Sequence, residues 1–133
     1  MNRIYTLPEA NRVLCLVMAI AKEFVDRRNQ RRTLQRERDQ LQQARTPEGV
    51  RSGLCELDIR ISEQEEAMAV CRREIEDMGM SVLRTNPLTV HIPGQSKSGP
   101  VVFCWEEGEG TVCFGHPIGE EEEARRPLRL KAI

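Results

Sequence analysis

Two long runs of mostly apolar residues, spaced alternately three and four apart, constrain this chain more than anything else in it. In the first run Ala10, Val13, Val17, Ile20, Phe24, Arg27, Arg31, Leu34, Arg38 and Leu41 follow one another; in the second, Val50, Leu54, Leu57, Ile61, Gln64, Met68, Cys71, Ile75 and Met78 do so. An α-helix turns once in 3.6 residues, so this spacing lines one side of each helix and makes the pattern of a coiled-coil seam. The runs are broken once, at Thr46-Pro47-Glu48-Gly49. Four residues allow only a reversal, which predicts an antiparallel hairpin over residues 7–79 with its turn at 46–49. The register can be tested within the chain. If Leu41 faces Leu54, then Leu34 faces Ile61, Phe24 faces Cys71, Ile20 faces Ile75 and Val17 faces Met78, apolar on apolar at each layer, while Arg31 meets Gln64.

The start and stop of the hairpin are also written in the chain. Thr6-Leu7-Pro8-Glu9 has the residues of a capping box, in which the Thr6 hydroxyl accepts from the Glu9 N–H and the Glu9 carboxylate from the Thr6 N–H. Pro8 falls in the first turn, where a missing N–H costs nothing, and Tyr5 before the cap is placed to staple it. The first helix then meets no breaker before Pro47, a length of roughly 57 Å for about 38 residues. Gly79 reads as the residue that closes the second helix.

Beyond Gly79 the period changes from 3.6 to 2. Leu88, Val90 and Ile92 alternate with Thr89 and His91, which predicts a short strand stopped by Pro93. Gly94 to Gly99 reads as a flexible connection. Val101–Glu106 and Thr111–His116 flank Glu107-Gly108-Glu109-Gly110 as a β-hairpin. An acidic run, Glu120 to Glu123, and Arg125-Arg126-Pro127-Leu128 lie in the tail. The expected architecture is therefore α+β: one domain over 1–133, with a long antiparallel two-helix coiled-coil hairpin (7–79) followed by a small antiparallel β element and tail (80–133).

Composition agrees with long exposed helices rather than a thick globule. Of 133 residues 31% are charged and 4% aromatic, and the net charge of −1 gives no global attraction to nucleic acid or anionic lipid. The longest apolar run, Val13 to Ala21, is about half the length a membrane-spanning helix needs. It also makes a poor secretion signal, because Pro8 and Glu9 interrupt the leader and the heptads run through the apparent cleavage site Ala19-Ile20-Ala21. Five cysteines (Cys15, Cys55, Cys71, Cys104, Cys113), odd in number and without a C-x-x-C pair, read as small hydrophobes in a reducing compartment. A cytoplasmic protein is expected.

Three stretches carry a family resemblance: Tyr5-Thr6-Leu7-Pro8-Glu9-Ala10-Asn11, Cys104-Trp105 followed by Gly108-Glu109, and His116 with Arg126-Pro127-Leu128. Together they resemble the bacterial domain-of-unknown-function family 2203 over most of the chain. In that family's pattern the second strand of the hairpin ends Trp-His-Asp; here the corresponding residues are Gly115-His116-Pro117, so the histidine matches. The resemblance implies a cytoplasmic bacterial protein and carries no activity.

The residues offer three kinds of site. A hairpin turning at Gly108-Glu109 sets Cys104 opposite Cys113, on one face with Val102, and turns Phe103, Trp105, Val112, Phe114 and His116 to the other. That separates His116 from the thiols, so no metal or cofactor is expected, nor a catalytic residue. His91 falls on the polar alternation of its strand and is expected in solvent. The alternative is a small-molecule or metal-binding site that joins Trp105, His116 and Arg126 of the tail. Second, Arg28, Arg32 and Arg36 lie in an arginine-rich stretch that could follow a phosphate backbone. Residues 21–45 carry eight basic and four acidic side chains, and residues 51–80 four basic and eight acidic. The helices are thus electrostatic partners, no aromatic is interleaved for base stacking, and nucleic acid is not expected. Third, Leu14, Leu16 and Met18 lie off the seam, where one partner helix cannot cover them all. The reading that follows is a non-enzymatic structural or interaction protein that forms a homodimer or docks a protein partner through its hairpin.

Overall fold

A computed structural model of the chain describes residues 3–43, 47–97, 99–112, 114–117 and 126–127. Two helices, α1 (Leu7–Gln42) and α2 (Pro47–Asp77), precede five strands: β1 (Ser81–Thr85), β2 (Leu88–Ser96), β3 (Gly99–Glu106), β4 (Phe114–Pro117) and β5 (Arg126–Pro127). The strands form one antiparallel sheet in chain order. The chain divides into two compact units, residues 22–72 and residues 1–21 with 73–133.

In the helical unit, residues 22–72, the seam positions are those the spacing marks. Phe24, Leu34, Leu57, Ile61, Met68 and Cys71 are buried, while Leu41, Leu54 and Gln64 are half-buried. Leu34, Leu57 and Ile61 form one cluster, against which Leu41 packs. Leu41 also lies over Gly53, where an added Cβ would strike its Cδ2. Arg38 Nε donates to Asp58 Oδ1 at 2.6 Å, a bridge between the oppositely charged helices. Gln64, expected opposite Arg31, accepts instead from Arg27 Nη1 at 3.3 Å, one turn earlier. Glu23 explains the choice: it holds Arg27 Nε at 2.7 Å and so fixes that guanidinium beforehand.

The second helix begins earlier than the proline and glycine imply. Pro47 is the first residue of α2 and Glu48 and Gly49 are helical, as fits a proline whose missing N–H costs nothing in the first turn. Residues 44–46 lie outside the described residues.

In the other unit, the cap is formed as its residues specify. Thr6 N donates to Glu9 Oε1 at 3.0 Å and Glu9 N to Thr6 Oγ1 at 3.3 Å. These bonds, the one from the Thr6 backbone foremost, hold the Glu9 carboxyl below its ordinary 4.5. Thr6→Ala is expected to cost about 1 kcal/mol. Glu9→Gln is expected to lower the unfolding temperature at neutral pH. A group whose folded pKa is depressed stabilises above its unfolded value, so the gap between wild type and Glu9→Gln should close as pH falls below 4.5 through the lower folded value. Thermal melts of both proteins across that range measure it.

Tyr5 does more than staple the first turn. Its N–H donates to Pro93 O and its carbonyl accepts from Gln95 N, both at 2.9 Å, while its hydroxyl donates to Met78 O at 2.6 Å. Gly79, with φ of 83°, closes α2 by donating to Glu76 O at 2.9 Å.

The sheet is larger than alternation alone predicts. β1 pairs with β2 across the two-residue turn Asn86-Pro87, with a register shift between Val82 and Arg84. β2 continues through Pro93 to Ser96. The proline is tolerated because β1 pairs no further along β2 than His91, and Pro93 turns its backbone toward Tyr5, which needs only its carbonyl. The stretch expected to be a flexible connection belongs to β2 and β3, closed by Ser96 pairing with Gly99, whose φ is 117°. Leu88, Val90, Ile92, Phe103 and Trp105 are buried on one face of the sheet, and Ala10, Leu14, Val17 and Ile75 are buried within the same unit. Among the described residues no helix is long and apolar enough to cross a membrane.

A candidate metal centre on the sheet

One structural difference decides the chemistry of this sheet. The expected hairpin opposes Cys104 to Cys113, but β3 and β4 pair Cys104 with Phe114 and Val102 with His116. Side chains alternate along a strand, so a slip of one residue turns the whole of β4 over. His116 consequently shares a face with Val102 and Cys104, while Phe103 and Trp105 take the other.

The slip has identifiable causes in the stretch that follows β3, of which residues 107–112 are described; β4 starts at Phe114, later than the four-residue turn expected allows. Trp105 Nε1 donates to Glu109 O at 3.0 Å, and Glu106 N to Glu109 Oε1 at 2.7 Å. Glu107 bonds twice to Leu88 of β2, through its N–H at 2.9 Å and its carboxylate at 2.6 Å. Val112 N donates to Asn11 Oδ1 of α1 at 2.8 Å, which holds this residue in the connection rather than in a strand.

His91 pairs with Cys104 across β2 and β3. Three residues on three adjacent strands therefore project from one face: His91, Cys104 and His116. One ligand atom from each lies within 4.8 Å of the others. The two imidazole rings meet edge to face, centroids 5.3 Å apart at 70°. Cys104 and His116 are buried; His91, expected in solvent, is half-buried. Thiolate and imidazole are the donors zinc takes, at about 2.3 Å for sulfur and about 2.0 Å for nitrogen. Tetrahedral geometry then spaces neighbouring donors by about 3.3–3.6 Å. Small side-chain rotations bring three atoms already within 4.8 Å to that spacing.

The other expected site residues separate. Trp105 is 2% exposed on the opposite face, with its ring N–H bonded to Glu109, so it shares no site with His116. Arg126 lies on β5 with its backbone paired to Gly115; its side chain lies outside the described residues. Cys113 also lies outside them. Of the arginines singled out for phosphate, Arg32 and Arg36 are exposed but Arg28 is 7% exposed and withdrawn from any such contact. It stands one turn after the buried Phe24. Leu14, expected at a partner surface, is 3% exposed because it shares an arc of α1 with buried Ala10, Val17 and Ala21. Met18 borders that arc and Leu16 lies further round the helix; they are 39% and 54% exposed. Cys15, Cys55, Cys71 and Cys104 are free thiols.

The signal for the metal cluster is present in the sequence but incomplete. His91, Cys104 and His116 are visible as donor types, and their convergence depends on a register that the alternation of apolar residues leaves open by one.

A family model described as "Uncharacterized conserved protein (DUF2203)" matches residues 3–128. No curated protein and no solved structure matches the chain.

Proposed function

The chain belongs to the DUF2203 family of uncharacterized conserved proteins, and we propose that this member binds a thiophilic transition-metal ion through His91, Cys104 and His116. The observation that carries the reading is the convergence of three donors from three neighbouring strands to within 4.8 Å. Strands hold their side chains more rigidly than loops do, which favours an ion by sparing the entropy of ordering its ligands. A single thiolate with two imidazoles is a borderline-soft set that suits zinc, copper or iron rather than magnesium or calcium.

The test is metal analysis of the full chain after loading with zinc and removal of loosely held ion. One equivalent retained is expected, lost in Cys104→Ser and His116→Ala and weakened in His91→Ala. Substoichiometric retention, or retention that these variants leave unchanged, sinks the reading and leaves the triad as a packed polar cluster.

A second reading concerns the helices. We propose that the hairpin is a coiled coil through which this bacterial, cytoplasmic protein pairs with a second copy or a protein partner, without catalysis at that surface. The exposed apolar side chains of Leu16 and Met18 on α1 support it. Light scattering of the purified chain is expected to give a dimer mass, reduced by the pair Leu16→Lys and Met18→Lys; a monomer at all concentrations removes the self-association.

A further inference from the structure

Resting on that metal reading, we infer that the bound ion keeps one coordination position for a small exogenous donor, turned away from the sheet. The first reason is geometric. His91, Cys104 and His116 are rooted on β2, β3 and β4 and leave the same face. Side chains stand roughly perpendicular to a sheet, so all three donors approach the ion from the sheet side. They occupy three vertices of a tetrahedron, and its fourth vertex points outward, away from the face that carries Leu88, Val90, Ile92, Phe103 and Trp105.

The second reason is the donor count. Among the described residues, the cluster of histidine, cysteine and acidic side chains has three members. Closed structural zinc sites use four protein ligands, whereas sites with three carry water or substrate in the fourth position. Third, the three ligands differ in access: Cys104 and His116 are buried and His91 is half-buried, so a small donor would approach on the His91 side. Finally, one thiolate on a dication leaves a net positive centre, which lowers the pKa of bound water and favours a monodentate anion in its place. The class of ligand is thus water or hydroxide at rest, displaced by small anions or thiolates.

Cobalt(II) reports both the ion and its fourth ligand. The cobalt-loaded full chain is expected to show a thiolate-to-cobalt band in the near ultraviolet and tetrahedral d–d bands in the visible. Titration with sodium azide is expected to shift the d–d bands saturably while the thiolate band persists. Cobalt bound in one equivalent with a thiolate band but a spectrum indifferent to azide overturns the open position. If that indifferent spectrum becomes azide-responsive in Cys113→Ser, the donor that closes the site is identified. Absence of any thiolate band fails the metal reading itself, a result distinct from a closed site.

Discussion

Zinc supplied at a thousandfold excess over its dissociation constant is expected to raise the unfolding temperature of this protein by roughly 15 °C. An ion that binds the folded chain and not the unfolded one stabilises by about 4 kcal/mol at that excess. With an unfolding entropy of about 2.1 cal/mol/K per residue, 133 residues convert this to roughly 15 °C if the chain melts as one unit. His91, Cys104 and His116 sit on the consecutive strands β2, β3 and β4, and the ion would tie all three. Calorimetry with zinc and with chelator reads the shift. It should vanish in Cys104→Ser and in His116→Ala, whatever those substitutions do to the metal-free melt. A shift that survives loss of the thiol would assign the stabilisation to other residues.

The second large effect belongs to Gly94 and Phe103. A Cβ built on Gly94 would lie 2.7 Å from Phe103 Cδ2 and 2.8 Å from its Cζ, closer than real contacts come. Phe103 cannot yield, since its ring is fully buried, and Gly94 is held on both sides, by Val101 of β3 and by the bridge to Tyr5. Gly94→Ala is therefore expected to cost about 1–3 kcal/mol as overpacking. Phe103→Ala removes the ring and leaves a void in a closed core, about 3–5 kcal/mol. The two residues touch, so their costs should not add: Gly94→Ala combined with Phe103→Leu should be more stable than the sum of the single losses allows. Urea titrations of the four proteins measure this coupling, and strict additivity would remove the proposed contact.

How much of this was legible beforehand varies with the range of the interactions involved. The seam residues Phe24, Leu34, Leu57 and Ile61, the Thr6–Glu9 cap and Gly79 all act within one helix or between helices joined by a short turn. Their period and spacing suffice. β1 was missed because Ser81–Thr85 has one buried residue, Val82, and so no alternation to detect. The extension of β2 through Pro93 was missed because its tolerance depends on Tyr5, nearly ninety residues earlier in the chain. Arg28 reads as a surface charge because residue type alone does not say which long side chain is buried.

The face on which His116 lands shows the division most plainly. By itself the sequence determined that there are two heptad-patterned helices, an antiparallel β element after them, and a short set of thiol and imidazole donors within it. Helical periodicity repeats over many turns, and an error in one residue is corrected by the rest. A strand's period of two carries no such redundancy over four residues, Phe114–Pro117. Its register was decided by the preceding connection, which Leu88, Trp105 and Asn11 hold by hydrogen bonds reaching as far as 101 residues along the chain. Only the tertiary structure could supply those bonds, and with them the single-residue shift that brings His116 to Cys104 and His91.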